Sequence, residues 1–486
     1  MAAPPRHVLA CFMFIGGVAY IAWYKKRVLD KIELAFAAGY DPALDLANNH
    51  AKKAVSSDQT ILEELVADGD DLWTAHLRRK EQDALDAIVH GLETGHYFML
   101  LGPKGAGKTT MVIDAMRKNQ AEGVAMCDAH PDLEVFRLRL GKALNFEYNE
   151  DSQTGVFQRR DPRGPALDIE RAFNKLEKVA IRVSRRTGRP LVLIINNIHH
   201  FKNDDEGRNM LLQLQQRAEG WSASGTLTMV FSTDDFWPFH EMRKTASRMH
   251  VMYIPDLSNH EAFHAARRMR LDARRSSVSD EEVRRVIGLV GGRLAYLSKV
   301  AKARDMEEYA QHMLDVEKGW LLSQIGLIPD CDDDVMDEQK WSSCSWLLLR
   351  EFVRLRMQQE HELGEQISSG EVTPDGLETL PLPSIPYYKC RQIMTRADFL
   401  EDLDRMNIIS IDVHHNVQPD SMLILHVARS VVEEDGFDEL LDGVRDRIDE
   451  IESLHRTREL TFKDLDKGDR IRLAVDKTAT ILDNDD

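Results

Sequence analysis

The chemistry read most directly from this chain lies in nine consecutive residues, Gly102-Pro103-Lys104-Gly105-Ala106-Gly107-Lys108-Thr109-Thr110. They fit the spacing G-x-x-x-x-G-K-[ST]. The glycines let successive backbone N–H groups converge on phosphate oxygens, and the positive end of a following helix adds attraction for the anion. Lys108 is placed to reach the β- and γ-phosphates of a nucleoside triphosphate, and the Thr109 hydroxyl to join Mg²⁺. A nucleoside triphosphate with Mg²⁺ is therefore the expected ligand.

A phosphate loop that hydrolyses needs acidic partners at the end of a second strand. The apolar run Leu191–Ile195 is suited to be that strand, but it leads into Asn196-Asn197. Asn196 can still hydrogen-bond a metal-bound water, so it joins Thr109 as a metal-side candidate, yet it brings no charge to the ion. Asn197 cannot take a proton at neutral pH, and losing a general base typically costs about 10²–10⁴ in rate. Binding is thus expected more firmly than turnover. Asp204, Asp205, Asp234 and Asp235 are the nearby carboxylates that could substitute. His199-His200 would point apart at a strand end, which reads as a polar loop rather than a metal site. Phe236-Trp237-Pro238-Phe239 reads as a packed loop.

These residues need a scaffold. Tyr97–Leu101 is a short apolar run before the loop, and Thr110–Met116 opens as a helix after it. Further apolar runs follow at Val124–Cys127, Leu191–Ile195, Leu227–Phe231 and Val251–Ile254, spaced widely enough for helices between them. That alternation predicts an α/β fold, a parallel sheet with helices on both faces. An amphipathic helix over Arg78–Gly91 leads into it, and Asp151–Gly164 reads as a polar surface excursion.

Beyond Asp256 the strand pattern stops. Ser258-Asn-His-Glu261 is a capping box opening a helix over Glu261–Leu271. A second helix runs from Ser279 to Val290, Gly291-Gly292 breaks it, and a third spans Arg293–Arg304. An acidic break at Asp330–Asp334 marks a boundary. A helix over Trp341–Met357, a polar loop from about Gln359 to Pro386, and a helix capped by Thr395 come next. The apolar runs Ile408–Val413 and Met422–Val427 then predict a hairpin around His414–Ser421. Helix, helix and hairpin outline a winged helix.

Length and composition set the bounds. The 486 residues are 43% apolar and 30% charged, as in globular proteins. A net charge of −18 argues against generic attraction to nucleic acid. The five cysteines form no C-x-x-C pair, which argues against a zinc site or a disulfide framework. Val8–Tyr24 is free of charge, with Arg6 before it and Lys25-Lys26-Arg27 after it. Its seventeen residues meet the lower limit for a membrane-spanning helix, and the basic flank would keep the body in the cytosol or the mitochondrial matrix. The expected units are an anchor over 1–28, a helical linker over 29–75, an α/β core over 76–256, a helical lid over 257–329, a winged helix over 335–430 and a charged tail over 431–486.

In order and motif, roughly Thr74 to Val427 resembles an AAA+-type P-loop ATPase of the archaeal-ATPase, origin-recognition and STAND-related groups, with a C-terminal winged helix. It is similar to fungal AAA proteins of that architecture, and Arg185-Arg-Thr-Gly-Arg-Pro190 before the apolar strand adds to the likeness. The resemblance implies that Ser232 and Thr233 face the γ-phosphate as sensor 1. It implies that Arg293 acts as the sensor-2 arginine of the lid. It implies that Arg248 acts as an arginine finger across a subunit interface, with homo-oligomers as one form. In that family Asn196 and Asn197 stand where an Mg²⁺-binding Asp and a catalytic Glu belong. The basic anchor flank is similar to signal anchors of mitochondrial outer-membrane proteins.

Three functions follow as expectations. The first is a membrane-anchored nucleotide switch or scaffold, meeting a protein partner through the winged helix or lid. The second is an active ATPase that remodels protein complexes at a membrane. The third is a DNA-binding origin-type ATPase. The helix Thr395–Met406 carries Arg396 and Arg405 against Asp398, Glu401, Asp402 and Asp404, a balance that opposes the third.

Overall fold

The computed structural model describes residues 6–41, 78–148, 164–369 apart from 274, 276 and 277, and 380–458. The side chains of 6–16, 21 and 454–458 are outside that set. Most of the expected linker, nearly all of the polar excursion at 151–164, part of the 359–386 loop and the end of the tail fall outside it too.

The sheet is built from β1 (Tyr97–Leu101), β2 (Val124–Asp128), β3 (Leu191–Asn196), β4 (Leu227–Thr233) and β5 (Met249–Tyr253). Its order is β2-β3-β4-β1-β5, and every neighbouring pair is parallel. Strand periodicity divides the core in two. Phe98 and Leu100 face α2 (Gln82–Val89) and α3 (Lys108–Lys118). Tyr97, Met99 and Leu101 join the opposite cluster, with α4 (Leu133–Ala143), α5 (Pro165–Thr187) and α6 (Asp205–Ser224). The expected α/β core is therefore present. Residues 236–239, expected as a loop, are packed as expected but open α7 (Trp237–Arg243), with Pro238 in its first turn.

The N-terminal region differs from expectation. Residues 6–35 form one helix, α1 (Arg6–Ala35). Its later part is packed onto the core rather than acting as a linker. Val28, Ile32, Ala35 and Phe36 are buried, and Arg182 of α5 bonds Asp30 at 2.7 Å and Glu33 at 3.2 Å. Among the described residues no helix is long and apolar enough to cross a membrane, so the anchor expected over 8–24 gains no support.

The lid contains α8 (Asn259–Asp272), α9 (Asp280–Val290), α10 (Leu294–Lys302) and α11 (Met306–Ile325) around its own apolar cluster. The capping box at Ser258 is formed in full. The last of these helices, opened by Asp305 accepting from the Glu308 N–H, has no counterpart in the sequence reading.

The winged helix holds α12 (Met336–Ser369), β6 (Ile385–Pro386), α13 (Tyr387–Met394), α14 (Ala397–Arg405), β7 (Ile409–Ile411), β8 (Asn416–Pro419) and α15 (Met422–Val432), followed by α16 (Phe437–Arg458). Two expectations are corrected. The hairpin pairs β7 with β8, and Met422–Val427 is not its second strand but the start of α15. Ser421 caps that helix by accepting from the Ile424 N–H. Leu423, Ile424, Leu425 and Val427 are all buried, and so short an apolar run has no periodicity to separate strand from helix. Thr395 likewise sits one residue before the N-cap, Arg396, at φ 62°.

Candidate functional site

In a parallel sheet, ligands gather at the carboxyl ends of the strands. Gly102–Gly107 joins β1 to α3 at that edge, and Asn196, Ser232, Thr233 and Asp128 end the neighbouring strands there. Gly102 is required by packing, since a Cβ would meet the Ile254 carbonyl oxygen at 2.2 Å. Gly107 precedes α3 at φ 100°, a left-handed conformation that glycine adopts freely. Arg79, only 6% exposed, ties the loop down by donating to the Ala106 carbonyl at 2.7 Å and to that of Pro255.

Lys108 is 5% exposed, and its ammonium donates to the carbonyls of Gly102 at 2.6 Å and Pro103 at 2.9 Å. Asp234 pairs with it at 2.6 Å. Burial lowers the lysine pKa, and Asp234 opposes that shift. Asp234, weighed as a substitute catalytic acid, is thus bound to the very cation that would receive the phosphate. Burial also pushes His199 down to about 4 against the pull of Asp234, so the ring is neutral at pH 7. Its Nδ1 then accepts the Asp234 N–H at 3.1 Å.

The asparagines are firmly placed. Asn196 is 1% exposed. Its Oδ1 accepts from the Thr109 hydroxyl at 3.3 Å and from Ser232, while its Nδ2 donates to Asp128 at 2.8 Å. Ser232 in turn accepts the Asn197 N–H at 3.0 Å. Asn197 has φ 56° and ψ 48°, a left-handed conformation that asparagine tolerates better than most side chains. Thr233 is spent locally, donating to the Asp235 carbonyl at 2.8 Å. Thr109 and Asn196 offer hard oxygens, the kind Mg²⁺ prefers when it arrives on a nucleotide. Among the described residues no group of three or more His, Cys, Asp and Glu could hold a metal, so such an ion would depend on phosphate.

A cleft of about 540 Å³ is lined by Gly107, Lys108, Thr109, Asn197, Asp234 and Leu294, a size that suits a small ligand. The lid forms one wall. The Ala295 N–H donates to the Gly105 carbonyl at 3.2 Å, seating the start of α10 on the loop.

Arg293 lies just before α10 and is 1% exposed. It binds Asp256 through Nε at 2.8 Å and Nη2 at 3.0 Å. From its other side Nη1 binds Asp420 of the winged helix at 2.6 Å, and Nη2 also donates to the Asp420 carbonyl. Burial works against the charge, but Asp420 and Asp256 outweigh it and raise the pKa. Arg248 is elsewhere. It precedes β5 at the opposite edge of the sheet and reaches the Gly95 carbonyl at 3.4 Å, so it takes no part in this chain's own site.

Residues 76–229 match the family model of the AAA ATPase domain, and residues 322–452 match that of the fungal AAA protein C-terminal winged helix domain. The chain carries an AAA ATPase domain and this winged helix. The AAA chain is similar to a Walker-type ATPase, PABY2304, of Pyrococcus abyssi, with 12% identity over 73% of this chain and 96% of that one and a TM-score of 0.46. A chain of the Drosophila ORC structure bound to DNA has 14% identity over 74% and 97%, with a TM-score of 0.32. Neither likeness is close enough to place a residue. No curated protein matches the AAA chain in sequence.

The winged helix is docked on the AAA core by the helix whose charges opposed DNA. Asp404 of α14 accepts the Phe236 N–H at 2.7 Å, and Glu401 accepts from Asn203 at 3.2 Å. Burial raises Asp404 well above the usual carboxylate range, with Asp235 adding to the rise. Asp235 is itself pushed up to about 7, by burial first and Asp234 second. Sequence reasoning missed Asp128, Asp256, Asp404 and Asp420 as site residues. Asp128 could have been found as the acid ending its strand. Nothing local marks Asp420, which meets Arg293 across 127 positions.

Proposed function

We propose that this AAA chain is a nucleotide-dependent switch for a protein partner, holding ATP or ADP with Mg²⁺ and turning ATP over slowly. One observation carries the reading. Arg293, the lid arginine beside the phosphate loop, is bonded to the core through Asp256 and to the winged helix through Asp420. A phosphate arriving at Lys108 must displace Asp234 and competes for Arg293. It thereby weakens winged-helix docking, and a ligand shifts such an equilibrium only by its different affinity for the two states. Glu401 and Asp404 of α14, spent on the core in the docked state, support a protein contact over DNA. Arg248, facing away from this site, would act only on a neighbouring subunit's nucleotide.

Slow turnover is supported by the two asparagines, since neither accepts a proton. Nucleotide binding is tested by titrating a fluorescent ATP analogue into the wild type and Lys108→Ala. The variant is expected to lose binding, and unchanged affinity would reject the site. Asn197→Glu is expected to raise turnover by about 10²-fold or more, despite placing glutamate in a left-handed conformation at a cost of about 1–2 kcal/mol. Fast wild-type turnover abolished by Lys108→Ala would instead favour a working remodelling ATPase.

A further inference from the structure

We propose that Asp128 is the displaced acidic partner of the Mg²⁺ site, a positioning residue that holds Asn196 with its carbonyl toward Thr109 and the hydrated ion. The inference rests on the reading above that Thr109 takes an Mg²⁺-nucleotide.

β2 and β3 run in parallel register with Asp128 opposite Asn196. A primary amide has a donor end and an acceptor end and gains a fixed direction only from its partners. Asp128 Oδ1 accepts from Asn196 Nδ2 at 2.8 Å, and a carboxylate can only accept there. Asn196 Oδ1 is therefore left to face the Thr109 and Ser232 hydroxyls. Without Asp128 the amide could rotate and present N–H groups to a cation. The negative charge missing from Asn196 also returns, one hydrogen bond further from the ion. This carboxylate–amide relay has the form of the outer partners that orient metal-ligating histidines, whose loss typically weakens metal affinity about 10–100-fold. Arg139 does not cancel the charge through a direct hydrogen bond, because it donates to the main-chain carbonyls of Asp128 and Ala129.

The test measures the affinity of a fluorescent ATP analogue with Mg²⁺ and with EDTA in the full chain. Four proteins are compared: wild type, Asp128→Asn, Asn196→Asp and the exchange variant carrying both. The wild type is expected to bind more tightly with Mg²⁺. Asp128→Asn should keep its affinity in EDTA and lose about tenfold or more of the Mg²⁺ enhancement. The exchange variant returns the acid to β3 and should restore that enhancement. A purely structural role for Asp128 predicts no such rescue. Full Mg²⁺ enhancement in Asp128→Asn, or an exchange variant no better than it, overturns the proposal. If Asp128→Asn fails to fold, Asp128→Ala takes its place, with the same loss of Mg²⁺ enhancement supporting the relay and full enhancement rejecting it. A wild type that binds no nucleotide sinks this assignment and the switch together. A wild type with Mg²⁺-linked binding and an indifferent Asp128→Asn sinks the assignment alone.

Discussion

Replacing Arg293 by alanine is expected to destabilise the protein by about 3–5 kcal/mol, the usual consequence of stranding the partners of a buried ion pair. Asp420 is 4% exposed and already pushed up to about 6 by burial, with Arg293 the main force holding it down. Without the guanidinium it must take up a proton or leave its site, and leaving means undocking the winged helix. Denaturant unfolding gives the stability, and limited proteolysis shows which domain loosens. A loss below about 1 kcal/mol, with the winged helix as resistant as before, would reject the latch. Arg293→Lys should recover little, because one ammonium cannot reproduce the fork that spans Asp256 and Asp420. Asp420→Asn should loosen the winged helix while leaving Asp256 paired, separating the latch from general core damage.

If the Arg293 latch also reads the phosphate, as proposed, nucleotide state and domain docking cannot be independent. The docked arrangement satisfies Arg293 with carboxylates and Lys108 with Asp234. Phosphate offers both cations a rival anion. Nucleotide affinity must then depend on the winged helix, and docking on nucleotide, by the same free energy. In the proposed switch, such reciprocity would let nucleotide occupancy alone carry the signal.

Local patterns made the core legible in the sequence. The apolar run Tyr97–Leu101, the glycine spacing of 102–107 and the Ser258 capping box each depend on a few neighbouring residues, and each is found as expected. Misreadings arise where local signals are degenerate or distant. Leu423, Ile424, Leu425 and Val427 are all buried, so only the Ser421 cap distinguishes their helix from a strand. Leu29–Phe36 reads as a linker because its partners, Arg182 and the rest of α5, lie some 150 positions on. The site was half legible. Lys108, Thr109, Asn196 and Ser232 converge as their strand ends require. The carboxylates that bind Asn196 and Arg293 come from β2, the lid boundary and the winged helix, which only the tertiary fold brings together.

Winged-helix docking is expected to tighten as pH falls from 8 to 5.5, through the carboxylates buried at its contact with the core. Asp235 is raised from 3.8 to about 7, and Asp404 stands well above its usual range beside it. An acid raised in the docked state keeps its proton where the free form has lost it. The associated stability is complete below about 4 and is lost as pH climbs through 7. His199, lowered to about 4, works the other way inside the AAA core, where acid must protonate it. Global stability therefore mixes the two effects, and the interface must be isolated. Asp404→Asn removes the like-charge neighbour while its side-chain oxygen can still accept the Phe236 N–H. Docking in that variant should be tighter at pH 8 and flatter with pH than in the wild type. Protection of winged-helix amides, followed by hydrogen exchange across that range and corrected for intrinsic rates, supplies the comparison. Parallel profiles for the two proteins would show that the pair does not govern docking. A flatter profile in Asp404→Asn would place a titrating contact directly behind the Asp234 loop, where proton and phosphate bias the same joint.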